Sequence, residues 1–486
     1  MRFLLLMLVL AAGSLSLPAI AQKKGQTKAA QAGAKDAYRY QITIHGLRDT
    51  TCFLAYHMGD KQYLADTAKV DGNGKMVFTG RETLDGGIYM VVLPNRKYFE
   101  IIVNEPSFSV ETDTGRLTED VKFSGSKENA VFNDYIQYVA KRGAEINGLA
   151  TQLKAAKDNK PEAERLRKEI KDKEDALADY RRQLADKHPG TFIATLLRAL
   201  TDPKRPEPPL AKNGRPDSAY KFYDNRAHYF DNIDFSDARL LRTPILHGKV
   251  KYYMDNLTVP EPDSINKSTN VVLDKAAASN KEVFRYLLWM LSNTYETSPY
   301  MGMDAVFVHL AKRYYLSGRA DWIDSSTRKK IADRVKILDP LLIGKAAPRL
   351  IMRDTTGMPI SLHEVAAKNK YTIVVFYDPN CGHCQKEVPE INDHFYKDYK
   401  AKGVEMIAAC AERNPKDWKQ FVRKHKLSCI NTFDTDTVVD FRNYWDVYSF
   451  PVIYVIDKER KIIGKRVPAD KLGQFIDETE KIRKRL

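Results

Sequence analysis

The sequence predicts a multidomain α+β chain: an N-terminal antiparallel β sandwich, a helical middle domain and a C-terminal α/β domain. Three observations predict it. The first part alternates apolar and polar residues between turn signals, which is the period of a strand with one buried face. The middle spaces its apolar residues at three and four among many charges, the period of a helix. The last part alternates short apolar runs with helical stretches, the pattern of a layered α/β domain. The expected boundaries are 37–127, 128–340 and 341–486.

The chain opens with Arg2, an apolar run over Phe3–Ala12 and the small-residue site Ala19-Ile20-Ala21, which reads as a signal peptide over 1–21. The run is too short to span a bilayer, and no cysteine follows it to take a lipid. Residues 22–36 are small and polar and read as a flexible leader. Tyr38, Tyr40, Ile42 and Ile44 then alternate with Arg39, Gln41 and Thr43. Asp71-Gly72-Asn73-Gly74 is a turn before Lys75–Phe78, and Gly87–Leu93, Tyr98–Val103 and Phe108–Glu111 supply further strands.

In the middle domain Leu166, Ile170, Leu177, Tyr180 and Leu184 form a short heptad seam, with Pro161 interrupting the helix upstream. An intramolecular helical hairpin is expected, its charges a solvated face. Pro203–Asp217 and Val259–Asn270 read as loops, and Glu282–Ser292 and Met303–Leu316 as helices. Met301, Met303, Tyr314, Tyr315 and Trp322 are expected to be packing residues. His228, His247 and His309 are scattered and are not expected to be ligands.

The last domain starts with a hairpin around Asp354–Gly357 and a capping box at Ser361-Leu362-His363-Glu364. Strands are expected at 371–377, 403–409, 452–456 and 461–464, and helices at 382–400, 415–426, 437–445 and 469–484.

Cys381-Gly382-His383-Cys384 lies where the first of those strands gives way to a helix. There the free N–H groups and the dipole of the helix favour a thiolate, the attacking species in thiol–disulfide exchange. Haem attachment would need His directly after the second cysteine, and position 385 is Gln. A structural zinc site needs a second close pair, which Cys52, Cys410 and Cys429 do not form. Five cysteines in a chain this long are one working pair plus extras, not a disulfide framework. Cys410 and Cys429 read as buried thiols, with a disulfide between them left open, and Cys52 as an inert one.

With Glu387, the helix proline Pro389 and Trp445-Asp446-Val447 leading to Phe450-Pro451, residues 342–486 resemble the TlpA/ResA type of thioredoxin-fold thiol–disulfide oxidoreductases. The resemblance implies Cys381 as nucleophile, Cys384 as resolving thiol, a cis Pro451 facing them and Glu387 buried near the site. It implies a substrate groove touched by Asn380, which stands where thioredoxins carry Trp, and by Phe450, where many relatives have Thr. Glu387 could accept the proton of Cys384, since Val375 stands where thioredoxins place a strand Asp. A protonated His383 near Cys381 would favour the thiolate. Residues 37–127 are similar, more weakly, to the β domain of unassigned function often found ahead of such domains.

The expected substrates are disulfides of envelope proteins, reduced or isomerised in the periplasm, with a membrane electron donor to keep the pair reduced. No metal, cofactor or nucleic-acid partner is expected: the net charge of +15 is spread along the chain rather than gathered in one stripe. Oligomeric state stays open. A thiol peroxidase is a poor alternative, because Asp378 stands where that chemistry wants Thr. An envelope binding or assembly protein with a regulatory redox pair is the other.

Overall fold

The structure is a computed structural model that describes residues 36–412, 414–434 and 441–484. The expected signal peptide and the leader up to residue 35 lie outside the described residues. The chain forms two compact units, one up to Thr258 together with Val271–Leu287, the other Val259–Asn270 together with Leu288 onward.

The first unit begins with eight strands: β1 (Tyr38–His45), β2 (Thr50–Met58), β3 (Lys61–Val70), β4 (Lys75–Gly80), β5 (Gly87–Val92), β6 (Tyr98–Val103), β7 (Ser107–Asp113) and β8 (Lys122–Ser124). They form two sheets of four, β4-β1-β7-β8 and β3-β2-β5-β6, around one core that includes Tyr40, Ile42, Leu54, Phe78, Val91 and Val110. One pairing departs from the antiparallel expectation: β1 and β7 run parallel, Tyr40 opposite Phe108. The intervening chain goes to the other sheet, and such a long crossover permits parallel neighbours. The Asp71–Gly74 turn likewise links strands of different sheets rather than closing a hairpin.

Helices α1 (Lys127–Ala155) and α2 (Lys160–Lys187) make the expected hairpin. Pro161 does not interrupt a helix but sits in the first turn of α2, where its missing N–H costs nothing. Leu166 and Leu177 are buried, whereas Ile170, Tyr180 and Leu184 are half-buried. Asn129 of α1 closes the edge of β6, exchanging hydrogen bonds of 2.7 and 2.8 Å with the Ile102 backbone. Helices α3 (Phe192–Ala199), α4 (Ser218–His228), α5 (Ile245–Asn256), α6 (Pro262–Ser279), α7 (Lys281–Glu296), α8 (Asp304–Leu310) and α9 (Ser325–Leu338) follow. Helix α6 overturns the loop expected at Val259–Asn270. Pro262 opens it and Asp263 favours the positive end of its dipole, and Ser268 and Thr269 are buried rather than wet. Met303, Tyr314 and Tyr315 are core residues as expected, while Met301 is exposed.

The second unit carries a seven-stranded sheet in the order β10-β9-β13-β12-β11-β14-β15. Its strands are β9 (Ile351–Asp354), β10 (Pro359–Ser361), β11 (Tyr371–Tyr377), β12 (Val404–Cys410), β13 (Ile430–Phe433), β14 (Val452–Asp457) and β15 (Ile462–Lys465). Its helices are α10 (Leu362–Lys368), α11 (Gly382–Glu390), α12 (Lys397–Lys400), α13 (Pro415–Lys424) and α14 (Leu472–Arg483). All seven residues of β11 are buried, because the strand is central and covered on both faces. Tyr371, Ile373, Val375 and Tyr377 face a core with Val388, Trp418 and Leu472, and Val374 and Phe376 face one with Leu362 and Trp445. This is the α/β thioredoxin arrangement.

Two local expectations fail. Ser361 precedes α10 but makes no side-chain cap, because it is still paired in β10 opposite Ile351. Of the helix expected at 437–445, residues 437–440 lie outside the described residues, and Phe441–Asn443 is one 3-10 turn.

Candidate active site at the end of the central strand

Strand β11 ends at Tyr377, and the chain turns through Asp378-Pro379-Asn380 before α11 begins. Asp378 builds the turn: its Oδ1 accepts the Asn380 N–H at 2.7 Å and its carbonyl accepts the Cys381 N–H at 3.1 Å. Cys381 is thereby the N-cap of α11, half-exposed, and its side chain makes no capping bond that would occupy the sulfur. Its thiol donates to the carbonyl of Phe450 at 3.6 Å, and the Phe450–Pro451 bond is cis. The structure thus brings Cys381, Cys384, Phe450 and Pro451 together from segments about seventy residues apart.

Cys384 lies one turn into the helix and is fully buried. Burial pushes its thiol up to about 12; the Asp378 backbone N–H opposes that rise and the hydrogen bond with Cys381 adds to it. A half-exposed sulfur at a helix N-terminus and a covered, protonated one behind it form an ordered pair: one can meet a partner, the other can only attack what the first has captured.

The other expected residues stand further out. Asn380 is exposed and donates to Glu412 Oε2 at 3.0 Å. The ring of His383 is exposed, and its Nδ1 lies 3.8 Å from Glu387 Oε1. Glu387 is half-buried on the same helix. Pro389 removes one helical N–H, and the wider π turn Ile391–Tyr396 follows directly. Asp378 was missed as an organiser, although Asp-Pro-Asn ahead of a helix is a turn signal.

Cys410 and Cys429 are separate buried thiols, each pushed up to about 12 by burial. Cys410 pairs with Phe433 while Cys429 precedes Ile430, so they are offset by about 13 Å along the strands, beyond disulfide reach. Cys52 is also free and buried, at about 11 for the same reason. Among the described residues no group of three or more His, Cys, Asp or Glu could hold a metal ion, and no helix is long and apolar enough to cross a membrane.

Comparison with known proteins agrees with this geometry. The AhpC/TSA family profile matches residues 343–465, and two domains of unknown function, DUF5106 and DUF4369, match residues 174–339 and 38–132. The thiol-disulfide oxidoreductase ResA of Bacillus cereus is 32% identical over 127 residues, which are 26% of this chain and 70% of that protein. ResA of Bacillus thuringiensis subsp. konkukian is 34% identical over 121 residues, 25% of this chain and 67% of that protein. Among solved structures, a domain of a possible thiol-disulfide isomerase from Cytophaga hutchinsonii is 41% identical with a TM-score of 0.29, covering 30% of this chain and 99% of its own. Through its C-terminal domain, the chain belongs to the ResA-like thiol–disulfide oxidoreductases of the thioredoxin fold.

Proposed function

We propose that the chain is an exported enzyme that reduces or isomerises disulfides of envelope proteins through Cys381-Gly382-His383-Cys384. The observation that carries this reading is the half-exposed Cys381 at the N-cap of α11 against the Phe450 carbonyl, with Cys384 buried behind it. The Cys381 thiolate attacks one sulfur of a client disulfide. That S–S bond breaks, a Cys381–client bond forms, and the first client thiolate leaves and takes a proton. Cys384 then gives up its proton and attacks Cys381 Sγ, releasing the second client thiolate. Two electrons have passed to the client, and the enzyme pair is a disulfide. Because burial holds Cys384 protonated, the second step needs a base, and Glu387 on the same helix is the proposed one. Asn380 and Phe450 are proposed groove residues, Pro451 its wall, and His383 a modifier of the pair.

Export rests on the signal-like N-terminus, and the reductive direction on a membrane electron donor that would reduce the Cys381–Cys384 disulfide. The domain boundaries 37–127, 128–340 and 341–486 are proposed on the same footing. The test is turnover of insulin disulfides by the full chain with dithiothreitol as donor. The expected result is catalysis that Cys381→Ser abolishes. Equal rates for the wild type and Cys381→Ser would sink the proposal. The potential of the pair in glutathione buffers then assigns direction: about −270 mV marks a reductant, about −180 mV or above an isomerase or oxidase.

A further inference from the structure

The loop that ends at cis Pro451 is held in part from outside the α/β domain. Asp446 begins it, and its carboxylate is 3% exposed. Arg334 of α9 donates from Nη1 to Asp446 Oδ1 at 2.5 Å, and Arg466 donates from Nη2 to Oδ2 at 2.6 Å. The Arg334 guanidinium also covers the ring of Tyr448, 5.4 Å from its centre. Burial pushes the Asp446 carboxyl up, but the two guanidinium groups outweigh it and hold it below the ordinary carboxylate value. Apolar contacts seat the same helix: Ile337, and Leu341 just after it, join the core of Phe376, Trp445 and Tyr454. Asp304 of α8 pairs with the buried Lys465 of β15, whose Nζ also donates to the Leu341 carbonyl at 3.1 Å.

Between Asp446 and Pro451 the chain is in no helix or strand, and Tyr448 and Ser449 are exposed. Its shape is therefore set by its anchors, and its last carbonyl is the one that meets Cys381 Sγ. A buried ion pair is weak evidence for stability, since apolar residues often serve as well. Fixing one geometry is the better-supported use. We infer that Arg334 is a positioning residue of the redox site: through Asp446 it fixes residues 446–450, and with them the groove wall beside Cys381. Part of the helical region would then be needed to present the groove to a protein client. This rests on the proposed role of the Cys381–Cys384 pair.

The experiment compares full-length wild type, Arg334→Gln, Arg334→Lys and Arg466→Gln on insulin and on oxidised glutathione, a disulfide too small to need the groove wall. Arg334→Gln is expected to raise the KM for insulin about tenfold, the scale of a small misplacement, with turnover of oxidised glutathione unchanged. Arg334→Lys is expected to recover part of the loss, since it keeps the charge but not the planar guanidinium that covers Tyr448. Arg466→Gln is expected to do less, because Arg466 is half-exposed and comes from the α/β domain itself. An unchanged insulin KM in Arg334→Gln, or parallel losses on both substrates, overturns the inference. If Arg334→Gln does not fold, the insulin KM of Arg334→Lys decides in the same way. A wild type inactive on both substrates overturns the reading of the site and the inference with it.

Discussion

Two places in the α/β domain each hold two cysteines, and their chemistry differs because of where the backbone puts them. Cys381 and Cys384 sit where a central strand hands over to a helix, with two residues between the sulfur-bearing positions and open solvent on one side. Cys410 ends one strand and Cys429 lies just before the neighbouring one, both inside the core, too far apart along the ladder to bond and closed to any partner. Burial raises Cys384, Cys410 and Cys429 alike to about 12, so a high value does not mark the working pair. The mark is a half-exposed sulfur next to a buried one. A thiol becomes a catalyst here through a neighbour it can reach, and otherwise it packs as a small apolar group.

The sharpest way to break that contrast is substitution. Cys381→Ser is expected to take insulin turnover to background, while Cys410→Ser and Cys429→Ser keep it in whatever protein folds. Turnover lost in Cys410→Ser with an unchanged melting temperature would make Cys410 a working thiol. Next in size is Glu387→Gln. With the base removed, the mixed disulfide should persist on the order of a hundredfold longer, as for loss of a general base elsewhere. Trapping it by rapid acid quench and counting client-linked protein checks this, and an unchanged lifetime would hand the proton to another group. A smaller effect concerns access. In Cys381→Ser, where burial still raises the thiol, alkylation of Cys384 should be slow near neutral pH and keep climbing about tenfold per pH unit past the ordinary thiol value of about 9. A rate that levels off near 9 would mean that the thiol is not desolvated.

The same contrast explains what could be read from the chain. Tyr371–Tyr377 is an uninterrupted run of apolar and β-branched residues, and it forms a strand with those limits because nothing local competes with burial. The cysteine motif was legible for a similar reason, since turn, strand end and helix start are neighbours in sequence. Strand β13, Ile430–Phe433, escaped because four residues leave almost no period to detect. The parallel β1–β7 pair and the Arg334–Asp446 pair escaped because each joins residues with no shared local pattern, the latter 112 positions apart. Helix α6 escaped because Pro260 and Pro262 look like a loop until the helix starts on the second of them.

The smallest predicted effect tests burial directly. A thiol whose folded value exceeds its unfolded value binds its proton more tightly in the folded state. Its contribution is fully present below the unfolded value of about 9 and is lost as pH rises toward about 12. Reduced protein should therefore unfold more easily in urea at pH 10 than at pH 8, with Cys410 contributing about 1 kcal/mol of the difference. Buried tyrosines such as Tyr40, raised to about 12 by burial and by Glu105, start to lose their contribution only from their unfolded value of 10, at the upper edge of this window, and they do so equally in wild type and variant. Cys410→Ala removes only the thiol, so the gap between wild type and variant across those two pH values isolates it. A gap that does not change with pH would mean that Cys410 has water beside it in the folded protein, and that the core pair is less closed than its burial implies.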